Sequence, residues 1–122
     1  MSKYLVKKIK NWLNEYNPFE DEGLYSSNIS EIWLVGSRAK NTHQENSDYD
    51  IAVIFDEKTK DENNINISSL KLTEFLHISF GKDMPEFKKK PVDIQIFFSN
   101  DNELKDYSKK ILYQKRNNIK IK

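Results

Sequence analysis

Four apolar positions near the start of the chain, Leu5, Ile9, Trp12 and Tyr16, recur at i, i+4, i+7 and i+11 and so share one face of a helix. Asn17-Pro18 predicts its end, because the residue before a proline is pushed out of the α region. After a polar stretch to Ser30, the run Ile32-Trp33-Leu34-Val35 reads as a buried strand closed by Gly36-Ser37. Alternating apolar residues predict a second strand over about 48–55 and a third over about 92–98. Between them Leu72, Phe75, Leu76 and Phe80 fall at helical spacing and predict a helix near 67–80. Leu104, Tyr107 and Ile111, at i, i+3 and i+7, predict a last helix from about 102 to 115. The order α-β-β-α-β-α predicts an α/β (α+β) domain with a small mixed β-sheet and helices mainly on one face.

The second and third predicted strands carry the same pattern. Tyr49, Ile51, Val53 and Phe55 point one way on the second, while Asp48, Asp50, Ala52 and Ile54 point the other. On the third, Val92, Ile94, Ile96 and Phe98 share one face, and Asp93, Gln95 and Phe97 the opposite one. If the strands are neighbours in register, three aspartates meet at one end of the sheet, on the face less covered by helices. Stability does not favour that placement, since clustered carboxylates repel and burial raises the cost of charging each one.

Composition narrows the class. The 122 residues suit one domain, residues 1–122, with a single hydrophobic core. Cysteine is absent, which excludes disulfides and thiolate metal sites and permits a reducing compartment. No apolar run reaches membrane-spanning length, and lysines interrupt the N-terminus too early for a signal peptide, so a soluble, cytoplasmic protein without membrane contact is expected. The net charge of +1 hides an uneven distribution: from Lys105 to Lys122 there are seven basic residues against one acid, Asp106. A solvated helix face with a basic tail is the simpler reading of that segment, and a surface for nucleic acid or an acidic partner is the less favoured one. Trp12, Trp33 and Tyr49 read as packing residues, and Lys88-Lys89-Lys90 as a solvated loop.

A divalent cation removes the penalty of clustered aspartates. Mg²⁺ takes oxygen ligands and commonly combines one or two carboxylates with substrate phosphates. Asp48 and Asp50 at i, i+2 suit one ion pair, and Asp93 across the sheet completes a second position. Two such ions stabilise the attacking and leaving oxygens of an in-line displacement at phosphorus. Gly36 at the strand end lets a phosphate approach the backbone, Ser37 is an N-cap candidate whose hydroxyl can donate to phosphate, and Arg38 is placed to offset polyphosphate charge.

The segment Gly36-Ser37-Arg38-Ala39 followed by Ser47-Asp48-Tyr49-Asp50 resembles the signature of the DNA polymerase β-like nucleotidyltransferase superfamily: Gly-Ser, ten intervening residues, then Asp-x-Asp. Asp93, in Pro91-Val92-Asp93-Ile94, falls where that family's third carboxylate is expected. The chain looks most like the minimal nucleotidyltransferases that accompany HEPN-domain toxins as antitoxins. Members of that kind transfer AMP from ATP to a tyrosine of the toxin. The resemblance implies the polymerase β-like palm fold, ATP as substrate and two Mg²⁺ ions. It assigns Gly36, Ser37 and Arg38 to the nucleotide and Asp48, Asp50 and Asp93 to metal and catalysis, with Asp93 helping to deprotonate the acceptor. One departure concerns the turn after Ala39, where many relatives have glycine and this chain has Asn41, a residue that tolerates left-handed backbone.

Competing assignments are weaker. Arg38-x4-His43 fits the loose spacing of HEPN ribonucleases but falls in a loop, and His43 reads as a solvent-facing residue. His77 reads as a helix-surface or packing histidine. A non-catalytic toxin-binding module, or nucleotidyl transfer to RNA or a small molecule, are the alternatives to protein modification.

Overall fold

The structure, a computed structural model, describes residues 2–115. The first amphipathic stretch forms α1 (Ser2–Tyr16) and buries Leu5, Ile9, Trp12 and Leu13. Tyr16 ends the stripe half out of the core, its ring 5.0 Å from that of Trp12. Asn17 then turns left-handed at φ 41°, and its N–H reaches back to Leu13 O at 2.9 Å, so the stop falls where Asn-Pro predicts.

The strands are β1 (Ile29–Val35), β2 (Tyr49–Phe55), β3 (Glu86–Phe87), β4 (Lys90–Phe98) and β5 (Lys110–Gln114). They form one sheet in the order β3-β4-β2-β1-β5. β2 and β4 run parallel and the other pairs antiparallel. A parallel pair needs a long crossover, and here it holds two helices, α3 (Glu57–Glu62) and α4 (Ser69–Phe80). A single helical turn, α2 (Gly36–Ala39), follows β1. Sequence patterning misses α3 because it is polar throughout and buries only Thr59.

α1 and α4 cover one sheet face, where Ile9, Ile51, Phe55, Leu72, Leu76, Ile94 and Phe98 form the main core. Full burial of a side chain such as Leu72 or Leu76 contributes roughly 1.5–3 kcal/mol. On the other face Trp33, Val35, Ala52, Ile54 and Phe97 lie under a smaller cover, Leu104 from a 3₁₀ turn over Asn102–Asp106. Both tryptophans and Tyr49 are buried, as their positions in the pattern predict.

The predicted last helix is not formed. Leu104 and Tyr107 do face inward, the latter packing edge-on against Phe97 with ring centroids 5.5 Å apart. The chain then extends, and β5 pairs with β1. Without it β1 would present a row of unpaired backbone groups, and satisfying that edge outweighs three residues at helical spacing. The basic segment is correspondingly not a helix face. Lys109 lies over the Trp33 ring at 3.9 Å, Lys110 bonds Asn41 Oδ1 at 3.0 Å and Lys115 pairs with Asp56 at 2.6 Å. Arg116, Lys120 and Lys122 lie outside the described residues.

α4 also serves the sheet. Ser68 caps it, accepting from Lys71 N–H at 3.2 Å. Thr73 and His77, one turn apart, reach the outer side of β4: Thr73 Oγ1 accepts from Ile96 N–H at 2.9 Å, and His77 Nε2 lies 2.8 Å from Ile94 O. Two side chains thus satisfy backbone groups of β4 beyond its short pairing with β3. Among the described residues no helix is long and apolar enough to cross a membrane.

Candidate active site

Parallel pairing sets Asp50 of β2 opposite Asp93 of β4, followed on the same face by Ala52 opposite Gln95 and Ile54 opposite Phe97. Asp48 lies just ahead of β2 and is exposed. Burial, together with the negative charges of Asp93 and Asp48, pushes the Asp50 carboxyl above its ordinary value. Two carboxylates therefore face each other across the strands, with a third at the rim. Among the described residues no three acidic or histidine side chains close into a ready-made metal cage. An all-oxygen donor set under mutual repulsion still fits Mg²⁺, which completes its shell with water and phosphate oxygens.

The other wall is Gly36, brought alongside by the pairing of Val35 with Asp50. Its φ is +72°, and a Cβ there would lie 2.3 Å from Asp50 Oδ2 and 3.1 Å from Asp50 Cβ and Cγ. Backbone conformation and lack of space both require glycine. Ser37 is not the N-cap: that position is Val35, and Ser37 sits inside the turn with its carbonyl accepting from Thr42 N–H at 2.9 Å. The strand ends without a cap because Gly36 itself makes the bend.

Arg38 is tied to the protein. Its Nη2 donates to Ser47 O at 2.9 Å, its Nε lies 3.3 Å from both Ser47 O and Asp48 O, and its guanidinium stacks 4.0 Å from the Tyr49 ring centre. These bonds clamp the loop that carries Asp48 onto the turn that carries Ser37. In the same loop Asn41 takes φ 60°, the left-handed conformation that glycine would otherwise supply.

The sequence reads His77 as a helix-surface or packing histidine, and its contact with Asp93 goes beyond that reading. Its Nε2 is 3.1 Å from Asp93 Oδ1 as well as 2.8 Å from Ile94 O. A carbonyl can only accept, so Nε2 carries the proton and offers it to both oxygens, holding the Asp93 carboxylate toward β4. The available signal was the polar pair Thr73 and His77 at i, i+4 beside the apolar Leu72 and Leu76. His43 is exposed in the loop, away from this arrangement. Lys88 and Lys89 are exposed, as expected, in a tight two-residue turn at φ 54° and 66° between β3 and β4, while Lys90 begins β4.

Known proteins resemble this chain at several levels. A candidate nucleotidyltransferase from Sulfolobus solfataricus shares the fold at a TM-score of 0.51 and 16% identity, covering 93% of this chain and 84% of that one. A toxin–antitoxin complex with AMP-PNP matches at a TM-score of 0.39 and 20% identity, covering 88% and 74%. A mutant toxin–antitoxin pair, MntA-HpeT, matches at 0.36 and 17%, covering 88% and 74%. The last two similarities are too low to carry an argument. A search of curated proteins returns no match. The family model described as nucleotidyltransferase domain matches residues 6–119, and the chain belongs to that family.

Proposed function

We propose that this chain is a Mg²⁺-dependent nucleotidyltransferase that moves AMP from ATP onto a hydroxyl acceptor, a tyrosine of a HEPN-type toxin partner, and so acts as an antitoxin. The observation that carries the transfer is the opposition of Asp50 and Asp93 beside Gly36, with Asp48 at the rim. The toxin partner and its tyrosine rest on the likeness of the Gly-Ser and Asp-x-Asp motif to minimal nucleotidyltransferases. Mg²⁺, when held by Asp48, Asp50 and Asp93, neutralises the phosphates and stabilises charge at the reacting phosphorus.

The residues of the chain divide the remaining work. Gly36 and Ser37 border the polyphosphate, and Gly36, lacking a Cβ, leaves the Asp50 carboxylate its place beside them. Arg38 holds the loop that presents Asp48. Asp93, held by His77, accepts the proton of the acceptor hydroxyl. The hydroxyl oxygen bonds to the α-phosphorus, the bond to the bridging oxygen of the β-phosphate breaks, and pyrophosphate leaves.

The test is transfer of label from α-labelled ATP with Mg²⁺ into host lysate, comparing the chain with Asp48→Asn. A discrete labelled protein band made only by the intact chain supports the proposal and yields the acceptor for mass spectrometry. Label in RNA would move the acceptor to nucleic acid, and no label from folded protein would leave a non-catalytic binding module.

A further inference from the structure

We propose that Lys109 binds the β- and γ-phosphates of the triphosphate, the part that leaves as pyrophosphate, in the role the sequence assigns to Arg38. The inference rests on nucleotidyl transfer at the carboxylates and adds the side chain that receives the leaving group.

Arg38 is spent within its own loop. Its guanidinium donates to the Ser47 and Asp48 carbonyls and stacks 4.0 Å from the Tyr49 ring centre, so the one arginine among the described residues is already engaged. A departing pyrophosphate gathers negative charge and calls for a fixed cation where that charge develops.

β5 brings a cation to that side by topology. Asp93 pairs with Asp50, Asp50 with Val35, and Leu34, next to Val35, with Lys110 at the start of β5. The two carboxylates, the bend at Gly36 and the first residues of β5 thus follow one another from strand to strand. β1 separates β2 from β5, so these two strands lie roughly 9–10 Å apart, two strand spacings. A polyphosphate bordering Gly36 and Ser37 occupies the ground between them. In-line displacement puts the leaving oxygen opposite the attacking one. With the acceptor activated at Asp93, pyrophosphate departs toward β1 and β5.

Lys109 immediately precedes β5 and stands on the carboxylate face. Its Nζ lies 3.9 Å from the ring centre of Trp33, which packs with Val35, Ala52 and Ile54 on that face. Lys110 bonds Asn41 Oδ1 at 3.0 Å and so ties the start of β5 to the loop that follows the Gly-Ser turn. Lys109 itself is exposed, and among the described residues no carboxylate lies within ion-pair distance of it. Glu31, which lines the same groove, accepts from Trp33 Nε1 and Gln114 Nε2 instead. A cation over a ring at an exposed site is held weakly and can be exchanged for an anion. Trp33 stands two residues back from Val35, roughly 7 Å along the strand. The flexible four-carbon stem of a lysine covers such a swing.

The bond exchange is unchanged. The acceptor oxygen joins the α-phosphorus, and the electron pair of the broken bond passes to the bridging oxygen of the pyrophosphate. Lys109 donates hydrogen bonds to that pyrophosphate and keeps its proton.

Isothermal titration calorimetry with Mg²⁺ compares three probes, ATP, inorganic pyrophosphate and AMP, on the intact chain, Lys109→Gln and Lys115→Gln. The last variant removes the same charge at the far end of β5. Lys109→Gln should weaken ATP and pyrophosphate roughly tenfold or more, the scale of one hydrogen bond between charged groups. AMP should bind it as it binds the intact chain, and Lys115→Gln should bind all three probes normally. Trp33 supplies a second readout, since pyrophosphate should draw the ammonium off its ring. Tryptophan emission should therefore change on adding pyrophosphate to the intact chain and stay constant in Lys109→Gln. Equal ATP affinity in the intact chain and Lys109→Gln, a loss matched by AMP or by Lys115→Gln, or an emission change that persists in Lys109→Gln would each overturn the assignment while leaving nucleotidyl transfer standing. Intact protein that binds ATP no better than Asp50→Asn would overturn the reading of the carboxylates, and the Lys109 assignment with it.

Discussion

Replacing Gly36 with alanine tests the tightest contact in the candidate site. The new Cβ would stand 2.3 Å from Asp50 Oδ2 and 3.1 Å from Asp50 Cβ and Cγ, on a backbone held at φ +72°. Left-handed backbone costs a residue with a Cβ roughly 1–2 kcal/mol. Forcing the methyl against Asp50 adds about 1–3 kcal/mol, the usual range for overpacking. The sum, about 2–5 kcal/mol, is large against the 5–15 kcal/mol that stabilises an ordinary domain. Chemical denaturation followed by the fluorescence of buried Trp12 and Trp33 measures it. The contact and backbone contributions separate in an Asp50→Ala background, where the Oδ2 and Cγ contacts vanish and the Cβ contact at 3.1 Å remains. Gly36→Ala should then cost less by roughly 0.5–3 kcal/mol, the coupling of touching residues. Equal costs in the two backgrounds would refute the steric argument. In the single variant the Asp50 carboxylate must turn away from Gly36 and leave its present place, so transfer should fall further than the loss of folded protein explains.

Asp50→Asn should raise the melting temperature of the metal-free protein at pH 7. The folded pKa of Asp50 lies above 3.8, so its favourable contribution is fully present below that pH and is lost as pH rises through the folded value. The gain should shrink as pH approaches 3.8, and Mg²⁺ should stabilise the intact chain more than the variant; a gain independent of pH would contradict the repulsion. Arg38→Lys removes the planar fork that bonds the Ser47 and Asp48 carbonyls, so amide exchange across 42–48 should quicken. Unchanged exchange there would return Arg38 to the polyphosphate. Thr73→Val keeps shape but strands the Ile96 N–H now bonded at 2.9 Å, and should cost about 1–3 kcal/mol in denaturant unfolding; a cost below about 0.5 kcal/mol, the level of an ordinary surface change, would show that β4 does not depend on α4 at that point.

Much of this protein was legible residue by residue. Alternation along 48–55 and 92–98 assigns Asp50 and Asp93 to one face, because strand periodicity is a property of the chain itself. Asn17-Pro18 stops α1 and Asn41 turns left-handed for reasons local to those residues. The Gly-Ser and Asp-x-Asp spacing picks out the candidate site for the same reason: both halves flank a single turn and loop.

What the sequence left open depends on neighbours far along the chain. Leu104, Tyr107 and Ile111 satisfy a helical period, and the open edge of β1, far earlier in the chain, decides that the last of them joins a strand. His77 acquires its meaning from Asp93 and Ile94, and Arg38 from the carbonyls of 47 and 48. Ser37 loses its expected capping role to the bend at Gly36. Periodicity and turn chemistry are written locally, whereas unpaired backbone groups and carboxylate charges find partners only once the sheet has assembled.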